Sequence, residues 1–475
     1  MRRDGGSEGG TSSATGGTSS GGRSGGAAGT SQGGSSAAGG DGGAAAASNG
    51  GTGDAGEGGK PDVTGDLLYI KASNPDAADY FGRALSLDER WLAVGSTNES
   101  SLATGIDGDQ ADDSEDGSGA VYLYSGRESG WGQRAYVKAS NTESTDGFGT
   151  AVSLSGGTLA VGAPFEDSLA TGVNGDEGNG GANLGAVYVF ALDGDTWRQE
   201  AYIKASHAGS VDLFGTSLDL EGNRLVVGGP WEDGAATEID GDPTDRSAQN
   251  SGAVYVFERD ASGWAQVAYL KGAYSEANDE FGKSVALSGD TIAVGAPGES
   301  SSQTGIDAEP VDALESDSGA VYLFERDGAS YRQTAFLKAS NADAEDAFGG
   351  FVALDRDTLA VSAVGEATSN GDGTASNEAL PDLGAVYVFE RSAGAWAQIA
   401  YLKPTSPGTD YYFGCSVALS GSTLVVGALG DSLGTRTGAV YVFERDETGG
   451  FSLAQRLTTP NAERGDRIGA GVAVT

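Results

Sequence analysis

Three stretches of this chain carry carboxylates at closely alternating positions: Asp107, Asp109 and Asp112; Asp240, Asp242 and Asp245; and Asp307, Glu309 and Asp312. A fourth, Asn174, Asp176 and Asn179, keeps the pattern with amides at two places. Clustered oxygen ligands with Gly nearby suit calcium, a hard cation that accepts many oxygens in flexible geometry. Calcium is therefore the cofactor these residues could hold. The competing reading is that acidic surface loops are simply solvated, and none of the stretches carries the full pattern of a known calcium loop. Other chemistry finds less support. His207 is the sole histidine, so neither a His-based triad nor a histidine zinc cluster can be assembled. Cys415 is the sole cysteine, so no intrachain disulfide exists, and in the apolar run Phe413 to Leu419 a buried inert thiol is expected. Carboxylate-pair hydrolysis stays open on composition, but no pair stands out among so many acids.

A repeat fixes where these loops fall. Phe-Gly recurs at Phe81, Phe148, Phe214, Phe281, Phe348 and Phe413, with Ile468-Gly469 as an altered seventh instance. The period is about 65 residues, which points to an array of small sheets that are stable only against each other. Each unit reads alike. A short apolar run follows Phe-Gly, then a tight turn such as Ser155-Gly156-Gly157-Thr158, then Leu-Ala-Val-Gly or a variant starting at Leu92, Leu159, Leu225, Ile292, Leu359 and Leu424. A polar loop leads to Gly-Ala-Val-Tyr, opening at Gly119, Gly185, Gly252, Gly319, Gly384 and Gly438. The middle two runs are apolar or small on both faces, as in a sheet covered on each side, and the last has one polar face. Four antiparallel strands of this kind make a propeller blade.

The predicted fold is thus an all-β propeller of four-stranded antiparallel blades. First- and fourth-strand signals occur seven times, the middle two only six. The surplus pieces, Leu67 to Ser73 and Arg467 to Val474, predict a seven-fold ring whose closing blade is incomplete and built from both chain ends. The alternative is six blades plus two loose ends.

Within the unit, Asp-x-Phe-Gly (Asp79, Asp146, Asp212, Asp279, Asp346) reads as structure. Phe packs between blades, Gly permits close backbone approach, and Asp bonds turn N–H groups. Lys71, Lys138, Lys204, Lys271, Lys338 and Lys403 recur in the fourth strand, behind Trp131, Trp197, Trp264, Tyr331 and Trp396. Packing with a local ion pair is expected there, and Lys on an outer strand also discourages edge-to-edge pairing. The loops between second and third strands are long five times, Ser96–Ser118, Pro164–Leu184, Trp231–Ser251, Pro297–Ser318 and Val364–Leu383, and short once, Leu429–Thr437. Long loops on one rim of a rigid scaffold are where recognition is expected.

A net charge of −40 excludes nucleic acid and anionic membranes as natural partners. No apolar run is long enough for a transmembrane helix. Residues 1–62 are Gly, Ser, Ala and Thr with scattered Asp, the composition of a disordered tether, and 63–475 is the propeller. Met1-Arg2-Arg3 is followed by Gly and Ser, so no signal peptide is read. The tether suggests surface attachment through the N-terminus, as in lipoproteins whose longer precursor supplies the anchor.

Phe-Gly followed by Gly162-Ala163-Pro164 or Gly295-Ala296-Pro297, with Gly228-Gly229-Pro230 close, resembles the FG-GAP repeats of the integrin α-subunit propeller. The resemblance covers about Val63 to Thr475. It implies a seven-bladed propeller closed from both termini, found on cell surfaces and used for adhesion or ligand binding. Integrin-type repeats carry an Asp-rich calcium loop between strands one and two. Here that hairpin is Ser288-Gly289-Asp290-Thr291 or similar, so those calcium sites transfer to no residue of this chain. The short hairpin resembles a bacterial subclass of exported proteins without known activity. The expected function is a non-catalytic extracellular or cell-surface binding module that recognises a protein or glycan through its long acidic loops. A lectin-like sugar binder is the near alternative, and a propeller-based hydrolase or lyase using carboxylates the distant one.

Overall fold

In the computed structural model, the described residues are 67–126, 130–310, 313–367, 383–404, 411–430, 437–459, 463 and 465–475, with the backbone of Ala45–Ser48. They form six four-stranded antiparallel sheets, each with strands in sequence order. Blade one is Phe81–Leu87, Trp91–Ser96, Ala120–Ser125 and Gly132–Val137. Blade two is Ala151–Ser155, Thr158–Ala163, Ala186–Asp193 and Thr196–Ile203. Blades three to six begin at Ser217, Ser284, Phe348 and Phe413.

Local sequence explains the strands. The alternating Val, Tyr and Phe of each third strand fill both faces of a pleated surface. In Ser155-Gly156-Gly157-Thr158 both central residues have positive φ (55° and 81°), the two-residue turn whose twist matches the flanking strands. In all six blades the register between third and fourth strands slips by one residue, as between Gln199 and Ala201, a bulge that turns the outer strand.

The cores lie between sheets. Phe148 is fully buried in one cluster with Trp91, Val121 and Val137 of blade one and Leu159, Tyr188 and Trp197 of blade two. Its ring meets Tyr188 edge-on at 5.4 Å, and Phe214 and Tyr255 repeat this at 5.4 Å in blade three. Phe-Gly therefore packs between blades as expected. Gly119, at φ 83°, forms a parallel bridge with Phe148, and a Cβ on it would stand 2.1 Å from the Phe148 carbonyl oxygen. Only glycine allows that approach. Near the hairpin face, Arg326, Arg391 and Arg445 each reach the third-strand glutamate of the preceding blade, Glu258, Glu325 and Glu390, at 3.0, 2.6 and 2.5 Å.

Closure differs from the expected stitched blade. Leu67–Ile70 is a strand, but its partner is Ala45–Ser48, four residues of the stretch assigned as tether. The remainder of 1–62 lies outside the described residues. Arg467 to Val474 is not a strand; it keeps one bridge, Ile468 to Gly438. The reason is the missing second strand: an inner strand with no middle strand beside it has no ladder to join. The segment still sits between blades six and one. Ser416 Oγ donates to the Gly469 carbonyl at 2.7 Å, and a Cβ on Gly471 would lie 2.8 Å from the Gly82 carbonyl oxygen. Six complete blades, with a seventh Phe-Gly position spanning the gap, is the architecture.

Candidate functional site

The repeated lysines are not edge guards. Lys138, Lys204, Lys271 and Lys338 are fully buried, each at the end of a fourth strand, with Nζ against a glutamate of its own blade's loop. Lys138 meets Glu99 at 2.8 Å, Lys204 meets Glu166 at 2.5 Å and Lys271 meets Glu232 at 3.2 Å; Lys338 pairs with Glu299, and Lys403 approaches Glu366 at 3.6 Å. The local ion pair is as expected, but the exposed edge is a correction: the bulged outer strand ends under the loop, which covers it. Burial lowers the pKa of these ammonium groups and the glutamate opposes that shift; Lys403 is brought down to about 8. The glutamate also ties blades together. Asn74 and Asn141, just beyond the preceding fourth strand, donate to Glu99 and Glu166 at 3.0 Å, and Tyr122 and Tyr188 hydroxyls donate to the same asparagines. Where His207 replaces that Asn, Glu232 Oε1 has no hydrogen-bond partner, although Arg246 stands 3.9 Å away. Lys71, the residue just after the strand Leu67–Ile70, is exposed.

The acidic loops are built from local turns. Asp107, Asp240 and Asp307 adopt left-handed φ (56°, 55° and 53°), and each clasps the fourth strand of its blade. Their Oδ1 atoms accept from the N–H of Tyr136, Tyr269 and Phe336 at 2.9 Å, and their own N–H groups donate back to those carbonyls. Asn174 does the same with Tyr202, which explains why an amide serves there. Asp109, Asp112, Asp242 and Asp245 accept N–H groups two residues on. Among the described residues Glu309 has no side-chain hydrogen-bond partner; Asp312 lies outside them, as do 368–382 and 431–436 of the rim loops. Among the described residues, no group of three or more His, Cys, Asp or Glu side chains is gathered to hold a metal ion. The sequence singles out these residues, and those among the described residues are not gathered into one ligand set.

What it does bring together is a set of positions the repeat pattern leaves variable. The residue after each Phe-Gly lines a single cavity of about 850 Å³: Arg83, Thr150, Thr216, Lys283, Gly350, Cys415 and Ala470, one from each of the seven motif positions. First strands of successive blades pack side by side around this axis. The residue before Phe-Gly forms a second ring. Tyr80, Gly147, Leu213, Glu280, Ala347, Tyr412 and Arg467 all have φ between 49° and 64°. Tyr80, Glu280, Ala347, Tyr412 and Arg467 line the same cavity. Phe351 joins them, 43% exposed, where sibling blades have Ala or Ser. The Cys415 thiol faces the Gly469 carbonyl at 3.4 Å, and burial pushes its pKa up to about 12, so it is inert as expected.

Beneath the rings, the motif aspartates accept the N–H three residues earlier, as at Asp79, Asp146 and Asp279. Burial, opposed by those bonds and reinforced by neighbouring glutamates, raises Asp79 to about 6, Asp146 to about 8 and Asp279 to about 7, from 3.8. The folded protein thus holds these protons more tightly than the unfolded chain. Their contribution to stability is full below about pH 4 and is lost as pH rises through 6 to 8. Melting temperature should therefore fall between pH 5 and pH 8, and Asp146→Asn should flatten the fall by on the order of 2 kcal/mol. An unchanged pH profile in that variant would remove the assignment.

Repeated four-stranded sheets set around a common cavity define a β-propeller. The FG-GAP repeat matches residues 131–190, 197–257, 264–324, 331–389 and 396–443, more than half of the sequence, and the chain belongs to the FG-GAP repeat family. Each matched unit starts in, or for the first unit one residue before, the fourth strand of one blade and ends in the third strand of the next, out of phase with the sheets. No curated protein matches the chain. A crystal structure of a protein from Lactobacillus plantarum is similar at 14% identity and a TM-score of 0.47, over 84% of this chain and 90% of that one. Among the described residues no helix is long and apolar enough to cross a membrane.

Proposed function

We propose that the protein is a non-catalytic binding module, acting outside the cell or at its surface, that recognises a protein or glycan on the face bearing the long loops and the mouth of the central cavity. One observation carries this reading. Six of the seven left-handed positions before Phe-Gly bear a side chain, and five of these, all but the buried Leu213, line the cavity, although Gly147 shows that the scaffold accepts glycine there. Left-handed backbone costs a β-carbon-bearing residue about 1–2 kcal/mol, and strain of this kind is kept where side chains are displayed for a purpose. The displayed residues also differ from blade to blade while the Phe-Gly beneath them repeats, as a recognition surface on a repeated scaffold requires. Calcium in the acidic loops belongs to the same proposal as an ordering cation.

The test uses the protein as it stands on a glycan array, with competition by free sugar, and on immobilised surface proteins. Retention lost in Tyr412→Gly, with a melting temperature equal to or above the parent's, supports display at a structural cost. Undiminished retention in that variant and in Tyr80→Gly, or turnover of an arrayed sugar, would overturn the reading. A rise in melting temperature with calcium beyond that with magnesium at equal ionic strength would support the loop cation, and equal effects would sink it.

A further inference from the structure

We infer that one arc of the cavity mouth, formed by Tyr412, Arg467, Tyr80 and Arg83, binds a saccharide through a single carboxylate-bearing sugar. The inference rests on the binding-module reading and names its ligand class. Tyr412, Arg467 and Tyr80 are consecutive in the outer ring, at blade six, the closing position and blade one, and Arg83 lies in the inner ring at blade one; all four line the cavity. The Arg467 guanidinium stands 5.9 Å from the centre of the Tyr80 ring.

Charge pairing separates these arginines from the other cation of the cavity. Lys283 is held by Glu280 at 2.9 Å. Arg83 and Arg467 are both exposed, and among the described residues neither is in an ion pair. In a chain with 68 acidic and 28 basic residues, carboxylates engage eight of the described arginines, among them Arg246, Arg259, Arg326 and Arg391, but not these two, which face the cavity instead. The nearest acid in sequence, Asp466, accepts the Glu463 N–H. The remaining lining acids, Asp317 and Glu345, belong to the blade four to five side of the ring.

Guanidinium groups present paired N–H donors that match a carboxylate. Tyrosines beside them offer flat apolar faces with a polar tip, suited to the C–H face and hydroxyls of a sugar ring. The surrounding loops decide against polyanions: Asp109, Asp242 and their neighbours would repel an acidic peptide or a polyuronate at many points, but a lone carboxylate at only one. A glycan with one acidic sugar at its tip is the occupant that fits both the arginines and the rim.

Calorimetric titration with the methyl glycosides of glucuronic acid and N-acetylneuraminic acid, their methyl esters and methyl glucoside tests this. At least one acid should bind, with its ester and the neutral glucoside weaker by about tenfold or more. Arg83→Ala and Arg467→Ala should each weaken that acid about tenfold without moving the melting temperature, while Arg198→Ala, exposed on the outer strand of blade two and away from the cavity, should leave it unchanged. Ester binding equal to acid binding, full affinity in both arginine variants, no binding of either acid, or binding of an oligoglutamate peptide instead would overturn the inference. Retention of a protein or neutral glycan that ignores both arginine substitutions would sink the acidic sugar alone and leave the binding module standing. Retention of nothing would sink both.

Discussion

Lys204→Met should destabilise the propeller at pH 7 by about 3–5 kcal/mol, because it leaves the Glu166 carboxylate buried without its counter-ion. Lys204 Nζ and Glu166 Oε2 are 2.5 Å apart with both side chains fully buried. The carboxylate retains Asn141 and the Tyr202 hydroxyl, at 3.0 and 2.7 Å, but two neutral donors do not replace an ammonium in a low-dielectric site. The double variant Lys204→Met with Glu166→Leu should recover most of the loss, since an apolar pair removes the desolvation cost along with the attraction. Denaturant unfolding monitored by tryptophan fluorescence distinguishes the outcomes. A single variant within about 1 kcal/mol of the parent would mean that water reaches the pair and screens it.

The second large effect is expected at the axis. Gly162→Ala should cost on the order of 3 kcal/mol, because its Cβ would stand 2.1 Å from the Gly215 carbonyl oxygen of the next blade. Backbone cannot swing aside as a side chain can, so the blades must part. Blade five shows what accommodation requires. Ser362 occupies the place of Gly162, the Phe351 N–H donates to its Oγ at 2.8 Å, and Phe351 stands out in the cavity where its siblings carry Ala or Ser. Gly162→Ala without those companion changes has no such relief. A melting temperature equal to the parent's would show that the inter-blade spacing is softer than the geometry implies.

The fold was legible because its signals are redundant. Six copies of Phe-Gly and six of Gly-Ala-Val-Tyr specify the same strand order, and the tight Gly turns fix the hairpins. The fourth-strand bulge was not legible, since one unpaired residue such as Glu200 leaves no mark in an alternating pattern. The incomplete closure was read from strand counts, but its detail was not: Ala45–Ser48 is too short and too plain in composition to announce a strand. The candidate site was harder still. Acidic loops drew attention because carboxylates at alternate positions resemble ligand sets, yet Asp107, Asp240 and Asp307 spend their oxygens clasping strands. The glutamates that hold the buried lysines were hidden by the acidic excess, although Glu99, Glu166, Glu232, Glu299 and Glu366 each follow the last small residue of the Leu-Ala-Val-Gly run at a fixed offset. The two rings flank a repeated motif at places where the residue type varies around the ring. A search for regularity passes over such positions, and only the common axis reveals them as neighbours.

The offset between the matched units and the sheets bears on how such a chain could have grown. Because each unit begins in one wedge and finishes in the next, copying or losing a whole unit heals inside a wedge, where backbone ladders rejoin like to like. The circumference could then change without any new seam having to be invented between wedges.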